Sequence, residues 1–243
     1  MDKSPRLFVE APLGAGQRVT LDRAQSHYLQ NVMRKGEGDV LRLFNRGDGE
    51  WSARIASARK NGVEMACLSL LRPALLPPDI DYLFAPLKSA RLDYVAQKAC
   101  EMGVRRLRPI LTQHTVAGRV NLERLQANVV EAAEQCELTS LPQVLEPLGF
   151  DKMIAGWQAG RRLIFCDEQA AGQPALAALQ AIPPDTPLAL LIGPEGGFSA
   201  GERAQLMKFP GVIVLPLGPR ILRADTAAVA ALALVQAVIG DWR

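Results

Sequence analysis

Two short glycine- and proline-containing segments hold the residues whose types and spacing could do chemistry. The first is Gly193-Pro194-Glu195-Gly196-Gly197, which follows the apolar run 188–192 and precedes Ser199 and Glu202. Glycine lets a ligand approach the main chain and proline stiffens the turn, so this loop could hold a flat, polar group through backbone N–H and C=O. The same residues would also serve a tight strand-to-helix turn, because crossover loops often need positive φ. Glu195 favours binding: a carboxylate between a proline and two glycines has little packing value. It could orient a substrate or lie near a cationic sulfonium. Ser199 and Glu202 match a capping box that opens a helix.

The second segment follows the apolar run 212–217 and reads Gly218-Pro219-Arg220-Ile221-Leu222-Arg223-Ala224-Asp225-Thr226 before an alanine-rich helix that starts near Thr226. Asp225 is placed to be the N-cap of that helix, and Ile221 and Leu222 could be ordinary core residues. Arg223 calls for a partner. An arginine between an apolar pair and a helix cap either pairs with an acid such as Glu195 or Asp225, or offers its guanidinium to phosphate.

The elements that must position these loops differ between the two parts of the chain. Up to residue 72, short β-type runs at 7–11, 17–21, 39–44, 50–56 and 63–71 are punctuated by Gly and Asn, as in a small β-barrel. Asp22 can cap a short helix over 22–34, and Val40, Leu41, Leu43 and Phe44 are expected in the core. The stretch 72–79 contains Pro73, Pro77 and Pro78, which suit a linker. Beyond it, strands are expected at 82–87, 107–111, 163–166, 188–192 and 212–217, alternating with helical patterns at 92–102, 122–138 and 200–209. Leu92, Val95, Ala96, Ala99 and Met102 share one helical face. Such alternation implies a mainly parallel sheet covered on both faces, with ligands at the carboxyl ends of the strands.

Composition narrows the function classes. With 49% hydrophobic and 22% charged residues in 243, a sizeable core can form. Net charge is +3, but residues 1–72 hold 12 basic and 8 acidic side chains, so the excess belongs to the N-terminal part, which should face an anion. Residues 1–12 lack the apolar stretch of an export signal, which makes the cytoplasm the expected location. The longest apolar run, 227–239, is too short for an ordinary membrane span and is expected to be a buried helix, in part against another subunit. Cys67, Cys100, Cys136 and Cys166 lie far apart, and with only His27 and His114 beside them no metal-ligand spacing appears. No Walker-type or dinucleotide glycine fingerprint is present.

Taken together, LLIGPEGGFSAGE at 190–202, LPLGPRILRADTA at 215–227 and SHYLQNVMRKGEGDVLRLFN at 26–45 resemble the RsmE family of ribosomal RNA uridine methyltransferases. PLKSARLDYVAQKACEMGV at 86–104 and EAAEQC at 131–136 are similar too. The resemblance implies an α/β fold: a SPOUT-type catalytic domain at 73–243 with a mainly parallel sheet and a deep trefoil knot, preceded by a PUA-like RNA-binding β-barrel at 1–72. It implies a homodimer, S-adenosylmethionine as cofactor, and methylation of N3 of a uridine in small-subunit (16S) ribosomal RNA, free or in the assembled subunit. Cofactor contacts carry over to Ile192, Gly193, Pro194, Glu195 and Gly196, and to Leu215, Leu217, Gly218, Ile221, Leu222 and Arg223. Two positions depart from the family pattern: Asp225 stands where a longer Glu is common, and Leu138 stands near a place that often holds Arg.

Uracil N3 bears a proton and attacks only once it is lost, so a base and a cation are needed. Arg223 is the expected stabiliser of the anion, and Glu195 or Asp225 the base. Arg34, Lys35, Arg42, Arg46, Arg54, Arg59 and Lys60 are the expected phosphate contacts. Two other readings remain open on sequence: a non-catalytic RNA-binding assembly factor, and a methyltransferase of this fold acting on another ribosomal or transfer RNA nucleotide.

Overall fold

In the computed structural model, which describes residues 4–59, 62–116, 119–170 and 175–242, the chain divides into two units. The first comprises Met1–Leu76 with Ala133–Leu141, the second Pro77–Ala132 with Pro142–Arg243. No single cut separates them, since the chain returns to the first unit partway through the second.

The first unit is a five-stranded mixed sheet in the order β1-β3-β4-β5-β2. Its strands are Arg6–Phe8 (β1), Arg18–Thr20 (β2), Val40–Phe44 (β3), Glu50–Arg59 (β4) and Gly62–Arg72 (β5). Leu41, Leu43, Ala53, Ile55, Val63, Met65 and Cys67 point inward from three neighbouring strands and pack into one core. Three register shifts between β4 and β5 bend the pair around that core. Gly49, at φ +81°, lies against the main chain of Arg72 and Pro73, where any Cβ would collide. Val40, expected in the core, is 41% exposed, because it starts β3 with its side chain on the outer face. Asp22 caps the helix Arg23–His27 (α1), its side chain accepting from Gln25 N at 2.8 Å. Tyr28–Val32 then form a π-helical turn in place of the continuous helix expected to Arg34, and Arg34 takes a positive φ of 54°.

An ion cluster lies inside this unit. Glu50, 1% exposed, accepts from Arg6 Nε at 2.5 Å and Arg72 Nε at 2.6 Å, with Arg42 at 3.7 Å. Arg6 also donates to the carbonyls of Ala133 (2.8 Å), Glu134 (2.9 Å) and Leu138 (2.6 Å), in the last turn of a helix and the segment just after it.

The second unit is built on strands Ile80–Phe84 (β6), Arg106–Leu111 (β7), Gln143–Val144 (β8), Leu148–Gly149 (β9), Arg162–Phe165 (β10), Leu188–Ile192 (β11) and Ile213–Val214 (β12), ordered β12-β10-β11-β6-β7-β8. Every strand pairing in it is parallel. The short strands β8 and β9 both pair with β7, and Pro147, which withholds a donor, lies between them. Connecting helices are Ser89–Glu101 (α2), Leu122–Gln135 (α3), Phe150–Ala155 (α4), Ala175–Gln180 (α5), Ala200–Met207 (α6) and Ala224–Ile239 (α7). All five residues of β11 are buried, as a strand covered on both faces requires. Leu83, Ile110, Leu163, Phe165 and Leu191 form one core with Phe150 and Met153 of α4. On α2 the expected face is realised at Val95, Ala96 and Ala99, which are buried, and α2 packs on α7. At the amino ends of the strands, Arg106 and Arg161 hold Asp79 and Asp81, so this rim is closed by charge pairing. Among the described residues no helix is long and apolar enough to cross a membrane, and no group of three or more His, Cys, Asp or Glu could hold a metal ion.

Although burial raises the Glu50 carboxyl, the hydrogen bonds from Arg72 and Arg6 outweigh it and hold the group below the usual carboxylate range. A depressed folded-state pKa contributes stability above the unfolded value, near pH 4.3, and loses it as pH falls through the folded value. Glu50→Gln leaves Arg6 buried without its anion and is expected to lower unfolding free energy by about 3 kcal/mol at pH 7. Urea titrations should show that gap closing below about pH 4; a gap independent of pH would show that Glu50 acts by packing alone.

Candidate functional site

Three main-chain hydrogen bonds align the carboxyl ends of the central strands. Ala85 N donates to Ile192 O (3.1 Å), Cys166 N to Leu191 O (3.2 Å) and Leu215 N to Phe165 O (2.9 Å). The segments leaving β6, β10, β11 and β12 therefore start from one rim, where ligands of open parallel sheets bind.

The loop after β11 is braced from several sides. Gly197, at φ +69°, closes a turn with its N–H on Pro194 O at 2.9 Å. Ser199 and Glu202 form the expected capping box at the start of α6. Glu202, 8% exposed, also accepts from Gln113 N at 2.8 Å, which anchors the loop after β7. From that loop, His114 Nδ1–H donates to Gly197 O at 3.0 Å, with Gly196 O at 3.2 Å. The glycine-rich turn thus has little freedom, although it carries no regular structure.

The loops enclose a cavity of about 350 Å³. Ile192, Gly193, Pro194, Glu195, Leu215, Leu217, Gly218, Ile221, Leu222 and Arg223 all line it, so ten residues nominated from two separate segments meet in one space. Gly196 and Asp225 are not among its lining; Gly196 faces His114. Phe165 and Phe198 add an aromatic wall, their rings 5.3 Å apart and nearly perpendicular. Asp167, 5% exposed, receives Arg203 at 2.7 Å, which ties the loop after β10 to α6. Cys166 also lines the cavity, but burial pushes its thiol far up, so it stays protonated and weakly nucleophilic.

Two expectations for the second loop are corrected, and of the two alternatives open to Arg223 the pairing with an acid is removed. Arg223, not Asp225, is the N-cap of α7, and Asp225 lies within its first turn. Among the described residues its carboxylate accepts a hydrogen bond from the adjacent Thr226 N alone, at 2.9 Å, and therefore does not cap in the usual sense. Ile221, 81% exposed, stands at the rim and not in the core. Arg223 is exposed and pairs with neither acid; the partner of both is Arg91, in the first turn of α2. Its Nη1 donates to Glu195 Oε1, and its Nε stands 3.9 Å from Asp225 Oδ2. Sequence reasoning missed Arg91 because its partners lie more than a hundred residues away, and no local spacing marks it.

The basic residues of the first unit separate into two kinds. Arg34, Arg54 and Arg59 are exposed on its surface, and half-buried Lys35 faces Asp39 at 3.8 Å. Arg46 lies 3.7 Å from Glu10 and against the Phe8 ring. Arg42 is committed internally: its side chain is 12% exposed and binds Ser4 O and Glu137, so it is not presented to an anion. Lys60 lies outside the described residues.

The family model described as an RNA methyltransferase domain matches residues 75–236, and one described as an RNA methyltransferase PUA domain matches 21–65. The ribosomal RNA small subunit methyltransferase E of Synechocystis sp. is 32% identical over 97% of this chain and 76% of its own length. Among solved structures, the ribosomal RNA small subunit methyltransferase E of Neisseria gonorrhoeae bound to S-adenosyl methionine is 27% identical, with a TM-score of 0.86 over 99% of this chain and 100% of that one. A Legionella pneumophila methyltransferase in complex with the same cofactor is 28% identical, with a TM-score of 0.86 and the same coverage.

Gly193 tests the rigidity of this site. A Cβ there would stand 2.6 Å from Phe198 Cε2, and Phe198 is fixed by Phe165 and Phe150. Gly193→Ala should cost about 1–3 kcal/mol as overpacking, read as a lower urea midpoint with an unchanged m-value. An unchanged midpoint would mean that the aromatic wall yields freely.

Proposed function

Because this chain belongs to the ribosomal RNA small subunit methyltransferase E family, we propose that it transfers a methyl group from S-adenosylmethionine to N3 of a uridine in small-subunit (16S) ribosomal RNA. Its fold is the SPOUT-type catalytic α/β fold preceded by a PUA-like unit. The observation that carries the reading is the convergence of loops 193–197 and 215–223 on one cavity.

The residues present fit this cofactor. A cavity of about 350 Å³ falls within the usual range for small-molecule sites. Ile192, Leu215, Leu217, Phe165 and Phe198 offer an apolar wall for a base and an aliphatic chain, while Glu168 and Glu195 offer carboxylates to hydroxyl, amino and sulfonium groups. When bound, the cofactor supplies an electrophilic methyl carbon on a good leaving group. The protein's part is to align uracil N3 with that carbon, remove the N3 proton and stabilise the resulting anion. Arg223, exposed at the lip and in no ion pair among the described residues, is assigned to the anion, and Glu195 or Asp225 to the proton. A paired target base must leave its stack to reach this pocket, which costs a few kcal/mol that other RNA contacts offset.

Those contacts are assigned to basic residues of the first unit, Arg34, Lys35, Arg46, Arg54 and Arg59, with the second unit catalytic. The protein is further inferred to act in the cytoplasm as a homodimer. Val229, Leu234, Val238 and Ile239 of α7 remain partly exposed, which supports a second subunit there. The trefoil knot implied by the family resemblance would lock the two loops against each other.

Incubating the protein with purified small subunits and tritiated cofactor, followed by nucleoside analysis, should yield N3-methyluridine. Label in another nucleoside would redirect the substrate assignment, and no cofactor uptake by calorimetry would favour an assembly factor. Arg223→Ala should slow single-turnover methylation by roughly 10²-fold. At least one of Glu195→Gln and Asp225→Asn should slow it by roughly 10²-fold or more; full activity in both would remove the base assignment.

Reversing charge at Arg34 and Lys35 should weaken RNA binding and flatten its log–log salt dependence by roughly one to two. An unchanged slope would place the docking face elsewhere.

A further inference from the structure

The two carboxylates that could take the N3 proton share one guanidinium. Arg91 donates to Glu195 Oε1 and stands 3.9 Å from Asp225 Oδ2. While it does so, part of the proton-accepting capacity of the site is occupied. The arrangement is also easy to undo. The side chains of Arg91 and Glu195 are 40% and 45% exposed, and an ion pair so open to water is weak. Glu195 sits on a braced turn with its side chain open to solvent, so the carboxylate can leave by side-chain rotation alone, whereas Arg91 rises from the first turn of a 13-residue helix.

An incoming RNA strand brings an anion that suits a guanidinium better than a lone carboxylate oxygen does. A phosphodiester presents two oxygens to the planar fork, and arginine binds such pairs in bidentate fashion. Of the four arginines that line the cavity, Arg203 is held by the buried Asp167, Arg220 and Arg223 are exposed and in no ion pair among the described residues, and Arg91 alone of the four has a partner that is exposed and replaceable.

We propose that Arg91 is a two-position latch: without RNA it holds Glu195 and Asp225, and on docking its guanidinium moves to a phosphodiester oxygen of the target strand, releasing Glu195 to accept the N3 proton. The N3–H bond then breaks toward Glu195, the electron pair left on N3 bonds the methyl carbon, and the C–S pair stays with the donor's sulfur. Arg91 is thus a positioning residue that couples arrival of the strand to exposure of the base. This rests on the methyltransferase reading above and adds to it the means by which the site recognises an occupied state.

Full-length wild type, Arg91→Ala, Arg91→Lys, Glu195→Gln and the Arg91→Ala/Glu195→Gln double variant are compared for binding of purified small-subunit RNA across a salt series. Cofactor uptake by calorimetry and single-turnover methylation are measured in parallel. Arg91→Ala should lose about tenfold in RNA affinity and about one in salt slope, and Arg91→Lys should recover the slope. Glu195→Gln should bind RNA several-fold more tightly than wild type, because the competitor for Arg91 is weakened, while methylating more slowly. In the double variant that gain in affinity should vanish. A gain that persists there reports general charge removal and overturns the latch, as does an Arg91→Ala variant that loses cofactor affinity but keeps the wild-type RNA slope. Wild type that neither binds cofactor nor methylates would overturn the underlying reading and the latch with it, an outcome distinct from a failure confined to the Arg91 variants.

Discussion

The chemistry of this protein depends on the register of four parallel strands at their carboxyl ends. β11 is buried along its whole length between β10 and β6, so its sideways position is fixed by hydrogen bonds that it cannot exchange with water. The bonds from Ala85, Cys166 and Leu215 carry that fixity to the points where the chain leaves the sheet. A slip by one residue in any of them would turn Ile192 or Leu215 away from the cavity, because successive side chains on a strand face opposite ways.

Arginine acts in three ways in this chain, distinguished by burial. Arg6 serves a buried carboxylate and three main-chain carbonyls, and so fixes structure. Arg203 spans the cavity wall to a buried aspartate. Arg91 meets its acids at the surface, where water competes for both partners. The residue type is the same throughout, and the local dielectric decides whether the pair is a brace or an exchangeable contact.

Much of the site was legible because its residues are local in sequence. Strand, glycine loop and capping box occupy consecutive positions from Leu188 to Glu202, and the boundaries of β11 are those expected. The last helix starts two residues earlier than Thr226, which moves the cap to Arg223 and leaves Asp225 turned toward α2. What sequence hid is what tertiary structure brings from afar: Arg91 to Glu195, His114 to Gly197, Arg203 to Asp167. Short elements were missed as well. α4 and α5 have six residues each, too few to show a periodicity, and β8 and β9 have two. Arg42 misled because a basic residue on a strand reads the same whether it faces solvent or, as here, a buried glutamate.

The return of Ala133–Leu141 to the first unit has a consequence for biogenesis. Arg6 finds its carbonyl partners only in that segment, as do Phe8 N, which binds Glu134, and Leu75 N, which binds Thr139. On a translating ribosome the amino-terminal sheet must wait, with the Arg6 guanidinium short of three acceptors, while more than fifty further residues are polymerised. Completion of the first unit is thereby delayed until more than half of the chain has been made, so the first unit closes only after part of the second has been synthesised.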